Sequence, residues 1–149
     1  WDGADLAELL RTQVELNGAV DPGRVKLSGP SILLPPQIAL NLALVVHGLA
    51  ANALQHGAFA NQSGSVAVSW TTETNPAADE KTLVLVWKET GGPSVMEPSA
   101  QGYGGLMLER GLKLGLGGAY DLEWLPEGMR AQLTVPLPKK AFRTDLFEK

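Results

Sequence analysis

The residues best placed to do chemistry lie on one apolar stretch, 36–57, and in two glycine clusters downstream of it. Asn41, Gly48, Asn52 and Gln55 follow one another at spacings of seven, four and three. On a helix advancing about 100° per residue, they fall within roughly 60° of each other. Ile38, Leu42, Val45, Leu49 and Ala53 form the neighbouring apolar stripe. One face packs and the strip beside it presents polar groups, most simply as the wall of a pocket; the alternative is that Asn52 and Gln55 only hydrogen-bond a nearby loop. The two clusters are Glu89-Thr-Gly-Gly-Pro93 and Gly102-Tyr-Gly-Gly105. Glycines ahead of a helix N-terminus let backbone N–H groups approach a phosphate, and the helix dipole favours the negative charge. The competing reading is a plain glycine turn.

The elements that must position these groups follow from periodicity. Residues 5–17 carry Leu6, Leu9, Leu10, Val14 and Leu16 among charged residues, a short amphipathic helix ended by Asn17 and Gly18. A turn at 21–23 leads to residues 24–27, which alternate as an edge strand does. A second turn, 28–30, leads to a short strand, 31–34, stopped by Pro35 and Pro36. Pro36 suits the first turn of the long helix, where its missing N–H is no loss. Leu40, Ala43, Leu44, Ala50 and Leu54 occupy that helix's other faces, so the pattern predicts cover on more than one side. Residues 65–72 and 82–89 read as strands of an antiparallel hairpin across a polar loop, 74–80. The second strand is apolar on both sides and therefore central. The aperiodic run 90–105 has the length of a functional loop. Leu108, Leu112 and Leu116 then predict a helix from Leu106, stopped by Gly117 and Gly118. Residues 119–125 and 129–137 form a second hairpin around 126–128, and 138–149 read as a peripheral tail. Together these blocks predict an α/β (α+β) two-layer sandwich, a mixed and mostly antiparallel sheet with helices on one face.

Composition narrows the function classes. With 149 residues and 44% apolar content the chain fits one domain with an ordinary core. Its net charge is −4 with scattered basic residues, the opposite of the clustered Lys and Arg that bind nucleic acid. It contains no cysteine, which excludes disulfides and thiolate-bound zinc. His47 and His56, nine residues apart on the same helix, do not make a metal cage. Asn41, His47, Gly48 and Asn52 interrupt the apolar run, so it is read as a core helix and not a membrane span. No signal peptide is visible, and the abrupt opening at Trp1 suggests a fragment of something longer.

Three boxes together resemble the ATP-binding domain of the Bergerat fold, shared by gyrase-type ATPases, a class of heat-shock chaperones, sensor histidine kinases and the MutL mismatch-repair proteins. More narrowly they resemble the HWE family of bacterial sensor histidine kinases. The first box is His47-Gly-Leu-Ala-Ala-Asn-Ala-Leu-Gln-His-Gly-Ala58, the second Trp87-Lys-Glu-Thr-Gly-Gly-Pro93, and the third Gly102-Tyr-Gly104 with Leu106. Leu33, Leu34, Pro35 and Pro36 match the family's strand before the helix, and the resemblance spans residues 24–137.

This resemblance implies an ATP site for the whole domain, 1–149. Asn52 would coordinate the Mg2+ that bridges the phosphates, a task suited to an amide oxygen. Glu89 would accept a hydrogen bond from the adenine amino group, and Gly91 and Gly92 would let adenine approach the backbone. Residues 94–101, within the loop 92–105, would form the ATP lid. Gly102, Tyr103, Gly104, Gly105 and Leu106 would hold phosphates, with Gln55 and His56 beside them. His47 and Trp87 are the family's namesake positions, with plain packing as their alternative reading. The implied partners are an upstream dimerisation and phosphoacceptor domain, through which the parent forms a homodimer, and a response regulator. No nucleic acid and no direct membrane contact are expected, and the domain is expected in the cytoplasm.

Two positions depart from the pattern. Gly48 stands where the family has Glu, and Gln55 where it has Lys. Without a carboxylate the helix offers no general base at that point, so no catalytic residue is assigned. A glycine inside a helix also costs roughly 1 kcal/mol relative to alanine, so helix stability does not explain it. Two functions stay open: a histidine-kinase catalytic domain delivering the γ-phosphoryl of ATP to a histidine outside this chain, and a degenerate domain serving as phosphotransfer scaffold or regulator-docking module.

Overall fold

A computed structural model of the chain describes residues 4–16, 24–55, 64–75, 80–91 and 116–137. The described elements run β1 (Ala4–Asp5), α1 (Leu6–Leu16), β2 (Val25–Ser28), β3 (Leu33–Leu34), α2 (Pro36–Gln55), β4 (Ser65–Asn75), β5 (Glu80–Thr90), β6 (Ala119–Leu125) and β7 (Gly128–Leu137). Five strands form one sheet in the order β2-β4-β5-β7-β6, with β2 parallel to β4 and the other pairs antiparallel. This is the mixed, mostly antiparallel sheet with helices that the blocks predict. β5 is its middle strand.

Alternation fixes which side of the sheet is covered. Val66, Val68 and Trp70 of β4, Leu83, Leu85 and Trp87 of β5, and Met129, Ala131, Leu133, Val135 and Leu137 of β7 are all buried on one face. Ala67, Ser69 and Thr71 of β4 point the other way and are exposed, as are Asp121 and Glu123 of β6. The inward side chains meet α2, which contributes Ala39, Leu42, Val45, Val46, Leu49, Ala50 and Ala53 to the same core. α1 packs on α2 and adds Leu6, Leu9, Leu10 and Val14. The Asp5 carboxylate accepts from the Glu8 amide at 3.1 Å, capping the start of α1 as an N-cap acid does.

Several sequence expectations change. β4 and β5 run paired from Ser65↔Thr90 to Asn75↔Glu80, so the strands extend into both ends of the polar stretch 74–80, at residues 74, 75 and 80; strand propensity loses here to cross-strand pairing. The strand expected at 31–34 is only β3, and it pairs with β1 in a separate two-stranded sheet. α2 is not covered all round. The sheet and α1 cover it on more than one side, as its pattern predicts, and Leu40, Leu44 and Leu54, 59%, 47% and 43% exposed, remain on the side that neither reaches. α2 meets the length and composition of a membrane span, yet its buried stripe lies in the core over the sheet. The predicted helix from Leu106, apart from its end, and the tail 138–149 lie outside the described residues.

The asymmetry of α2 gives a direct stability test. Leu42→Ala, at a fully buried site, is expected to lower unfolding free energy by about 2–5 kcal/mol. Leu40→Ala, on the exposed side, is expected to change it by no more than about 0.5 kcal/mol. Urea midpoints at unchanged m-value measure both.

Candidate functional site around Glu89 and the exit of α2

Four successive inward positions of β5 are Leu83, Leu85, Trp87 and Glu89, and all are essentially inaccessible to water. Glu89 is 1% exposed and is the one polar or charged residue in the core among the described residues. Burying a carboxylate is costly unless its oxygens find donors. Trp87, two residues earlier and so on the same face, supplies one: its indole Nε1–H donates to Glu89 Oε2 at 2.9 Å. The indole has only that donor to satisfy, and the carboxylate gains a fixed orientation from it. Trp87 therefore both packs and positions. Reading it as packing or as a namesake missed this, although the Trp-x-Glu spacing on a strand was the available signal.

The backbone changes character just past Glu89. Gly91 adopts φ 77°, which side-chain-bearing residues rarely take, so the chain turns sharply at the end of the middle strand. The hydroxyls of Ser65 and Thr90 lie 3.3 Å apart, tying the start of β4 to this end of β5. Since α2 is the element before β4, the exit of α2 precedes the strand that flanks Glu89.

On α2 the polar strip is divided. Asn52 is half-buried and borders the buried stripe one step from Val45 on the helical wheel. Gly48 is half-buried on the same strip, one turn before it. Asn41 is accounted for locally: its side-chain amide donates to the Gln37 carbonyl of the preceding turn at 3.1 Å. His47 is exposed, away from the strip. Gln55 is the last residue of α2. Thus Glu89, Trp87 and Gly91 come together on β5, and Asn52 with Gly48 lies along α2. His56, Gly92, Gly102, Tyr103, Gly104, Gly105 and Leu106, with the expected lid at 92–105, lie outside the described residues.

Chemically, the β5 end offers a buried, oriented acceptor beside a backbone bend, suited to a flat ligand carrying an N–H. Asn52 offers an amide oxygen of the hardness that Mg2+ prefers. Among the described residues no three His, Cys, Asp or Glu side chains cluster as a metal cage.

No family model matches the chain. It is similar to proteins named blue-light-activated histidine kinase. The Brucella ovis protein is 28% identical over 142 residues, covering 95% of this chain and 29% of the relative, and the Brucella anthropi protein is 27% identical over the same length, covering 28% of its sequence. The chain thus spans less than a third of the curated relatives it matches. Among solved structures, the histidine kinase domain of the Erythrobacter litoralis blue-light-activated histidine kinase superposes with TM-score 0.58 at 20% identity, covering 89% of this chain and 63% of that one. The catalytic domain of histidine kinase ThkA superposes with TM-score 0.60 at 12% identity, covering 95% and 99%. The fold is therefore that of histidine-kinase catalytic domains.

The Trp87–Glu89 bond can be measured by a double-mutant cycle. Trp87→Phe, which leaves a buried acceptor short of a donor, is expected to destabilise by about 1–3 kcal/mol beyond the lost ring area. In a Glu89→Leu background the same change is expected to cost distinctly less, read as coupling energy from urea denaturation.

Proposed function

We propose that this chain is the ATP-binding catalytic domain of a bacterial sensor histidine kinase of the HWE type. The observation that carries the reading is the buried Glu89 carboxylate held by Trp87 next to the Gly91 bend, at the end of the middle strand. Similarity to histidine kinases along 95% of the chain supports it.

In this reading Glu89 accepts a hydrogen bond from the adenine amino group, while Trp87 keeps the receiving carboxylate turned toward the base. Gly91, with Gly92, lets the flat ring approach the backbone. Asn52 would hold Mg2+ through its amide oxygen, and the ion would neutralise phosphate charge during transfer. Gly102, Tyr103, Gly104, Gly105 and Leu106 line the phosphates with backbone donors, next to Gln55 and His56. The γ-phosphoryl group passes to a histidine on the parent's dimerisation domain and then to a response regulator, in the cytoplasm. The chain's own contribution is positioning and charge neutralisation; Gly48 supplies no proton acceptor where the family has Glu.

That same glycine favours a second reading, in which nucleotide is bound weakly or not at all and the domain serves as phosphotransfer scaffold or regulator-docking module. Gly48 and Gln55 both remove charge from the phosphate side of α2.

Thermal melting separates the two. With Mg-ATP at 100 times its dissociation constant the first reading expects about 2.7 kcal/mol of added stability; no shift at millimolar nucleotide would sink it. Asn52→Ala is expected to remove the Mg2+-dependent part of that shift and to leave the magnesium-free part. Gly48→Glu in the full-length parent is expected to raise autophosphorylation. It should also add up to about 1 kcal/mol of helix stability, which melting without nucleotide isolates.

A further inference from the structure

The turn between β6 and β7 meets the candidate site from the strand next door. β5 and β7 pair from Lys81↔Leu137 to Lys88↔Arg130, and β7 begins two residues further on, at Gly128, which closes the hairpin opposite Leu125. Gly128 lies at φ 150° and is buried. A Cβ built there would overlap the Glu89 carbonyl oxygen and stand 3.3 Å from the Glu89 Cβ. The backbone of Gly128 thus packs against the root of the Glu89 side chain. On the other side of the sheet Lys88 Nζ and Glu127 Oε2 of the same turn stand 4.0 Å apart and both well exposed, a pair too solvated to fix a position.

We infer that Gly128 is a positioning residue that sets the base specificity of the site through Glu89, an inference that rests on the nucleotide-binding reading above. The Glu89 carboxylate accepts the indole N–H of Trp87 at 2.9 Å, and its side-chain root sits where the bare backbone of Gly128 permits. A side chain at 128 must push β5 or the turn away, and hydrogen-bonding constellations tolerate only about 0.5 Å of displacement. The group that Glu89 selects is an exocyclic amino donor. A base that presents a carbonyl there faces the carboxylate with an acceptor, so displacing Glu89 weakens the adenine complex and relieves the penalty on the guanine complex.

The test compares Gly128→Ala with Gly118→Ala. A Cβ at Gly118 would overlap the Thr134 carbonyl, an equal offence against a backbone oxygen, but at a part of β7 paired with Val84, five residues from Glu89. Dissociation constants for Mg-ATP and Mg-GTP, by calorimetry on folded protein, give a selectivity ratio that does not depend on overall stability. Both variants are expected to melt lower than wild type. Only Gly128→Ala is expected to lose selectivity for ATP, by about tenfold or more, the scale of one charge-assisted hydrogen bond. Unchanged selectivity in Gly128→Ala, or an equal loss in Gly118→Ala, overturns the inference while leaving nucleotide binding intact. A wild-type protein that binds neither nucleotide overturns the binding reading itself, and this inference with it. Should Gly128→Ala fail to fold, the wild type decides. Adenosine is expected to shift the NMR signals of the Gly128 amide and the Trp87 indole, and not those of the Gly118 amide or the Trp70 indole, which donates to Pro30 at 2.8 Å. A Gly128 signal that does not move overturns the inference.

Discussion

A carboxylate kept away from water in the middle of the sheet is the constraint on which the rest of this structure turns. Among the described residues Glu89 lies in a core otherwise made of apolar side chains and tryptophans. Desolvating such a group costs several kcal/mol unless partners compensate, so a sequence that merely needed a stable domain would place leucine there. The surrounding structure is arranged around keeping it: Trp87 donates from the same strand, β4 and β7 flank β5 on both sides, and α2 closes the layer above. Each of these also contributes to the apolar core, which makes the acid's position hard to shift without disturbing packing.

The same economy governs α2. Its core stripe is fully buried, and its opposite side carries three exposed leucines. Between the two runs the polar strip, where Asn52 borders the core and Gly48 leaves the helix without a side chain. A strip at the margin of a packed face is held as firmly as the core beneath it and still open to a ligand, which is how rigid scaffolds commonly present binding groups. Asn41 has the same residue type on the same strip, but bonds the backbone of its own helix, so residue type alone does not mark a site.

The relatives place these features in context. Identity is below 30%, yet the alignment runs over 95% of this chain, and solved histidine-kinase catalytic domains superpose over comparable lengths. Substitution has been heavy while architecture has stayed, as expected where the fold demands mainly apolar volume at alternating positions.

What was legible in the sequence is whatever near neighbours decide. The 3.6-residue repeat of α2, the two hairpins and the Trp87-Lys-Glu89 box with Gly91 beyond it are local patterns, and β5 is the middle strand because its apolar run said it would be. Only tertiary structure settled the rest. That β2 lies parallel to β4, that β1 pairs with β3, and that β4 and β5 stay paired into the polar loop depend on contacts between distant segments. The exposure of Leu40, Leu44 and Leu54 is likewise decided by how many layers pack on the helix. The meeting of Gly128 with Glu89, thirty-nine residues apart, rests on strand register, which no local pattern encodes. Periodicity tells a segment which face it will bury; what it is buried against is set by the free energy of the whole assembly.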